Sequence, residues 1–167
     1  MMWPAVAILA FVTLQRLAEL LLAKANTQRL LAMGAIEHGR SHYPLIVAVH
    51  ASWLISLWWL APGRAIHWPF LILFGLLQLG RLWVIRTLGP RWTTRIIILP
   101  GAPLVTGGPF RFVTHPNYLI VVGEIAVLPL VFGLWELALL FSALNAVVLA
   151  IRIRAENRAL AQTSRPA

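Results

Sequence analysis

The stretch Tyr118-Leu-Ile-Val-Val-Gly-Glu-Ile-Ala-Val-Leu-Pro-Leu-Val-Phe-Gly133, followed almost at once by the apolar run from Trp135 to Arg152, decides the architecture of this chain. Only Gly133 to Glu136 separates the two runs, and so brief a connection makes them antiparallel neighbours. If both cross a bilayer, the hairpin returns the chain to the side it left. The polar run Gly107-Gly-Pro-Phe-Arg-Phe-Val-Thr-His-Pro-Asn-Tyr118 before it and Arg152-Ile-Arg-Ala-Glu156 after it then share one membrane face. A site built from both segments is expected there.

Composition agrees with a membrane setting. Hydrophobic residues fill 60% of the 167 positions and charged residues only 11%, whereas soluble domains carry about 25% charged residues. A crossing helix needs about 20 apolar residues, and such runs fall near 3–23, 43–61, 68–88, 118–133 and 135–152. The expected fold is an all-α integral membrane protein, a single domain over 1–167 with about five transmembrane helices, the last two a tight hairpin. The first run lacks a basic leader and an Ala-x-Ala-type cleavage site, and reads as a retained span. No cysteine is present, which removes disulfides, thiol nucleophiles and thiolate metal sites.

Thirteen arginines and Lys24 against five glutamates and no aspartate give a net charge of +9. No soluble basic domain or aromatic-basic stripe accompanies this excess, so anionic headgroups and the positive-inside bias explain it better than nucleic acid. Lys24, Arg29 and Arg40 mark the first loop, Arg86, Arg91, Arg95 and Arg111 the third, and Arg152, Arg154, Arg158 and Arg165 the tail, while the second loop holds only Arg64. The N-terminus is therefore expected outside, and the loop 89–117 and tail 152–167 in the cytoplasm. Gly-Pro, Pro-Gly and Gly-Gly-Pro turns surround the β-like run Ile96 to Leu99, so this loop is expected to be ordered, as a hairpin or with a short helix. Beyond about Leu160 the tail is expected to fray.

Ionisable groups inside spans cost at least about 2.5 kcal/mol each and tend to face partners or water-filled pockets. Arg16 and Glu19, three apart, suit a pair that snorkels toward headgroups. Arg81 has Glu19 or Glu124 as a possible acidic partner, or contacts substrate. Glu124 lies seven residues after Asn117, on nearly the same helical face, and is either substrate-facing or held in a buried pair or in protonated form. Asn145, Leu149, Arg152 and Glu156 line one face of the last helix, a polar stripe or a plain surface pair. Pro116 disfavours helix at His115 and suits a first helical turn, whose free amide groups favour a carboxylate. His38, His42, His50 and His67 show no compact ligand spacing, so no metal is assigned. Trp3, Trp58, Trp59, Trp68, Trp92 and Trp135 read as interfacial anchors.

The run Gly108-Pro-Phe-Arg-Phe-Val-Thr-His-Pro-Asn-Tyr118, an apolar hairpin and then Arg152-Ile-Arg-Ala-Glu156 resembles the isoprenylcysteine carboxyl methyltransferase family. With Trp92-Thr-Thr-Arg-Ile-Ile-Ile-Leu-Pro-Gly-Ala-Pro-Leu-Val105 and the His42-Tyr-Pro turn, it looks most like bacterial members that O-methylate long-chain polyketides such as alkylpyrones and alkylresorcinols. Thr114 stands where the family usually has arginine, and Asn157 where it has a second glutamate. The resemblance implies an S-adenosylmethionine-dependent membrane O-methyltransferase with a lipophilic or prenylated acceptor, placed in a bacterial inner membrane. It implies that His115, Pro116, Asn117, Tyr118 and Glu156 bind the cofactor and that Arg152 faces the acceptor. Where a hydroxyl is methylated, His115 or Glu124 is the expected base. The loop and tail would form the cofactor site. Competing readings are an NADPH-dependent membrane reductase of the sterol reductase type and a small transporter or assembly subunit with Arg81 and Glu124 along a path.

Overall fold

A computed structural model describes residues 3–163, and helix dominates it. Helix α1 covers Trp3–Ala32, α2 Tyr43–Leu60, α3 Trp68–Leu88, α4 Pro116–Val131 and α5 Trp135–Thr163. Prolines open α2, α3 and α4, where the missing N–H has no intrahelical partner in any case. The helices α1, α2, α3 and α5 are long and apolar enough to cross a membrane. Helix α4 has 16 residues, about 24 Å at the α-helical rise, and falls short of that length. The expectation of about five spans thus becomes four long helices and one shorter apolar helix.

The reason lies at the end of α4. Gly133 takes φ 68°, its N–H bonds to Leu130 O at 3.1 Å and the Leu134 N–H bonds to Pro129 O at 3.0 Å. This is a Schellman stop, which needs a left-handed residue that glycine supplies without strain. The hairpin turn is consequently as tight as its sequence suggests. Helices α1 and α5 run well past their apolar stretches, and α5 continues beyond Leu160. Arg165, counted among the tail's basic residues, lies outside the described residues.

A second departure from an all-α fold is a two-stranded sheet. Strand β1, Ile36–His38, pairs antiparallel with β2, Ile96–Ile98, in the register Glu37 opposite Ile97. The β-branched isoleucines find a partner strand across the molecule and not in a local hairpin. This becomes possible because the ends of α1 and α3 lie together, with Asn26 Nδ2 donating to the carbonyls of Gly89 and Trp92 at 3.2 and 2.8 Å.

Helix α4 occupies the centre, packed against α3 and α5. Gly123 lets the Leu77 side chain of α3 lie against the α4 backbone, since an added Cβ would come within 2.9 Å of its terminal methyl. The Trp53 indole N–H donates to Ile125 O, and the His67 N–H to Val131 O at 2.8 Å, tying α2 and the α2–α3 connection to α4.

Across α1, α3 and α4 runs a buried ionic network. Arg81 donates from Nε and Nη2 to the two oxygens of Glu19, at 2.6 Å each, and from Nη1 to Glu124 Oε2 at 3.1 Å. Arg16 reaches Glu19 at 3.0 Å and Glu124 at 2.7 Å, and Gln78 donates to the other oxygen of Glu124 at 2.8 Å. Two cations meet two anions, so the cluster is neutral as a whole. The pair Arg16–Glu19 forms as expected but does not snorkel, since Glu19 is buried against Arg81. Arg81→Ala would leave two buried carboxylates sharing one cation, Arg16, and breaking a buried pair in this way costs about 3–5 kcal/mol. The variant is expected to melt well below wild type in detergent, and an unchanged melting temperature would show that the network does not hold the helices.

Candidate active site

Arg152 and Glu156 are four apart on α5 and therefore share a face. Opposite them stands the first turn of α4, positioned by the non-helical backbone that Pro116 imposes on His115, at φ −127° and ψ 64°. The Tyr118 hydroxyl donates to Glu156 Oε2 and accepts from Arg152 Nε at 2.9 Å. The His115 ring stacks on that of Tyr118, with centroids 5.2 Å apart, and its Nδ1 lies 3.9 Å from Glu156 Oε2. Four side chains from two elements thus form one polar cluster.

The long connection before α4 closes over this cluster. Arg152 Nη1 donates to Thr94 O at 2.8 Å, and the hydroxyls of Tyr43 and Thr94 lie 3.1 Å apart. Next in the chain, Arg95 sits 4.9 Å over the Tyr43 ring and donates to Glu37 Oε1 at 3.0 Å, while Arg40 binds Glu37 Oε2 at 2.9 Å. Glu37 on β1 is therefore the clasp of the strap. Burial works to raise its pKa, but the Arg40 and Arg95 contacts outweigh that and hold it below the ordinary carboxyl value.

Two cavities flank the strap. One, of about 300 Å³, lies within the bundle and is walled mainly by apolar side chains of α1, α2, α4 and α5, with Glu124 and Arg16 in its lining. The other, of about 410 Å³, lies between the strap, the start of α4 and the end of α5 and is more polar. Both fall in the range of small-molecule sites, about 300–1000 Å³. Trp92, Thr93, Asn117, Tyr118 and Arg152 border both cavities and form their common wall.

Among the residues singled out from sequence, His115, Pro116 and Glu156 line the polar cavity, and Asn117, Tyr118 and Arg152 line both. Glu124 stands apart from them: it borders the inner cavity only, and Arg16, Arg81 and Gln78 occupy its carboxylate. That geometry makes it a member of the ionic network, with a protein partner on each oxygen. Trp92 is corrected outright, since it is 2% exposed and packs with Ala23, Val84 and Ile120, whereas Trp3, Trp59, Trp68 and Trp135 are exposed. Sequence reasoning also missed Asn26, Glu37 and Thr94, polar residues in ordinary-looking loops and helix ends whose partners lie more than fifty positions away. Asn117 Oδ1 is buried with no hydrogen-bond partner among the described residues. Together with the Glu156 carboxylate it fits a ligand carrying hydrogen-bond donors, whereas the Tyr118 and Leu119 N–H groups at the start of α4 are taken by His115 O at 3.1 and 3.3 Å.

Long apolar helices with a polar two-cavity site at one end define an integral membrane protein. Residues 70–162 match the model of the isoprenylcysteine carboxyl methyltransferase family, and the chain belongs to that family, which makes it a methyltransferase by class. It is 38% identical to the uncharacterized protein YpbQ of Bacillus subtilis over 98% of this chain and 99% of that one. A Haemophilus influenzae protein, also uncharacterized, is 26% identical over 81% of this chain and 82% of its own length. No solved structure matches.

The depressed pKa of Glu37 sets the sign of a pH effect. Its contribution to the strap is complete above the carboxyl range and is lost as pH falls through the folded-state value. Amide hydrogen exchange at Ile96–Ile98, taken relative to the intrinsic rate at each pH, is expected to accelerate on acidification in wild type. In Glu37→Gln it should be faster at neutral pH and insensitive to that acid step; a wild-type profile in the variant would remove Glu37 from the clasp.

Proposed function

We propose that the protein is an S-adenosylmethionine-dependent membrane O-methyltransferase whose acceptor is lipophilic, an isoprenylcysteine-type carboxylate or a long-chain polyketide hydroxyl. The observation that carries this reading is the junction of Tyr118, Arg152 and Glu156, which joins a polar cavity to an apolar one through a shared wall. Family membership supplies the reaction class, and the two cavities supply one place for each reactant.

In this reading the polar cavity takes the cofactor, which when bound supplies an electrophilic methyl group. Asn117 at the start of α4 would meet its polar groups, Glu156 would accept from its hydroxyl or amino groups, and the His115 and Tyr118 rings would bound its pocket. Tyr118 is held by Glu156 on one side and Arg152 on the other, so its ring is fixed before any ligand arrives. Arg152 spends Nε on Tyr118 and one Nη1 N–H on Thr94, which leaves Nη2 and the other Nη1 N–H to orient the acceptor oxygen. A carboxylate arrives ionised and needs positioning alone. For a hydroxyl, His115 is the base, because Glu124 is held by two arginines. The acceptor's chain lies in the inner cavity and reaches it sideways between helices. The loop 89–117 and the end of α5 face the cytoplasm in this reading, where the basic residues cluster and the cofactor is available.

Arg81 and Glu124 bond to one another and to their neighbours, which disfavours a path-lining role for them. Arg152→Ala and Glu156→Ala are expected to insert and melt close to wild type yet transfer labelled methyl from S-adenosylmethionine to a lipid extract at least about 100-fold more slowly, the loss typical of a removed charged contact. Calorimetry should give saturable S-adenosylmethionine binding that Glu156→Ala weakens and Arg152→Ala largely keeps. Saturable NADPH binding in its place would assign the site to a reductase.

A further inference from the structure

Trp92 sits in the wall common to both cavities, is 2% exposed, and carries an indole N–H with no hydrogen-bond partner among the described residues. More than nine in ten buried polar groups in native proteins are paired, so an orphan of this kind calls for an explanation. The main chain that holds the ring is fully committed: its N–H bonds to Gly89 O, and its carbonyl accepts from Asn26 on α1. Packing by Ala23, Val84 and Ile120 encloses the ring but asks only for an apolar surface, which phenylalanine or leucine would provide as well. The nitrogen is the one feature of this residue that its protein neighbours leave unused.

We infer, on the reading above, that the Trp92 indole N–H donates a hydrogen bond to the acceptor oxygen that is methylated. The reactants occupy different cavities and must come within about 3–3.5 Å of one another, so their reacting atoms meet at the shared wall. Its polar groups can be counted there. The Tyr118 hydroxyl is committed to Glu156 and Arg152, the Thr93 hydroxyl donates to Arg95 O, and Arg152 keeps Nη2 and one Nη1 N–H free. Trp92 Nε1, Asn117 Nδ2 and the remaining Arg152 N–H groups are thus the side-chain donors at the wall without protein partners among the described residues, and of these Trp92 Nε1 is the one fully buried. An indole N–H donates and cannot accept, so it requires an electron-rich atom. At the point of transfer the cofactor would present its sulfonium methyl, which offers none, and the acceptor oxygen does. One neutral donor and one cation then hold this oxygen from two directions, which fixes its line of approach better than the flexible arginine alone.

The test removes the N–H and keeps the ring. Benzothienylalanine at position 92 replaces the nitrogen by sulfur at nearly constant shape, with Trp92→Phe as the genetically simple companion. With labelled S-adenosylmethionine and a lipid extract of the source organism as acceptor, the sulfur analogue is expected to lose about tenfold or more in kcat/KM for the extract. Its melting temperature and its calorimetric affinity for S-adenosylmethionine should stay at wild-type values. In isotope-labelled protein the indole proton of Trp92, recognised by its absence in Trp92→Phe, should exchange more slowly on adding the extract and unchanged on adding S-adenosylmethionine alone. Full transfer by the sulfur analogue, or a loss confined to cofactor affinity with protection by the cofactor alone, overturns the assignment of Trp92. An inactive wild-type protein that binds no S-adenosylmethionine would instead overturn the methyltransferase reading itself.

Discussion

Glu19, Glu124, Arg16 and Arg81 are charges placed where water is scarce, and each must be answered by a protein group. Helices in lipid gain little from apolar contact with one another, because the surrounding chains are as apolar as their own side chains. The ionic network therefore has unusual weight in this fold. It joins α1 to α3 and α4, and α1 has few other contacts with either of them. Once α1 is held, its far end brings Asn26 to the carbonyls of Gly89 and Trp92, and the strap has an anchor.

The strap then acts as a partition. From Trp92 to Ile98 the chain is fastened in turn by Asn26, Arg152, Tyr43 and the strand of Ile36–His38, so that it lies between an apolar cavity and a polar one. Such a partition suits a reaction between a ligand that prefers lipid and a ligand that prefers water. Arg152 connects the two sides physically, bonding to Tyr118 next to the polar cavity and to Thr94 on the strap. The buried indole of Trp92 belongs to the same boundary, and its packing in place of an interfacial setting follows from how firmly its backbone is held.

Much of this was legible from residue order. The short connection at Gly133 to Glu136 required a hairpin, and the hairpin required Tyr118 and Glu156 to meet, as they do through a direct hydrogen bond. The pairing of Arg81 with Glu19 and Glu124 was among the options that costly buried charges impose. Less legible were the lengths of the helices, since α1 and α5 continue through polar sequence once neighbouring elements satisfy their side chains, and α4 stops early at Gly133. Glu124 shows the limit most clearly: periodicity put it on the face of Asn117, but only the positions of Arg16 and Arg81 decide that its oxygens are taken.

What the order of residues determined by itself was the membrane class, the hairpin, the polar end of the bundle and the family, because these rest on hydropathy, turn chemistry and short-range spacing. The tertiary structure alone decided the strap, the pairing of Ile36–His38 with Ile96–Ile98, the division into two cavities and the burial of Trp92. Those depend on contacts between segments fifty or more positions apart. No local pattern encodes such contacts, since they exist only after the helices have packed.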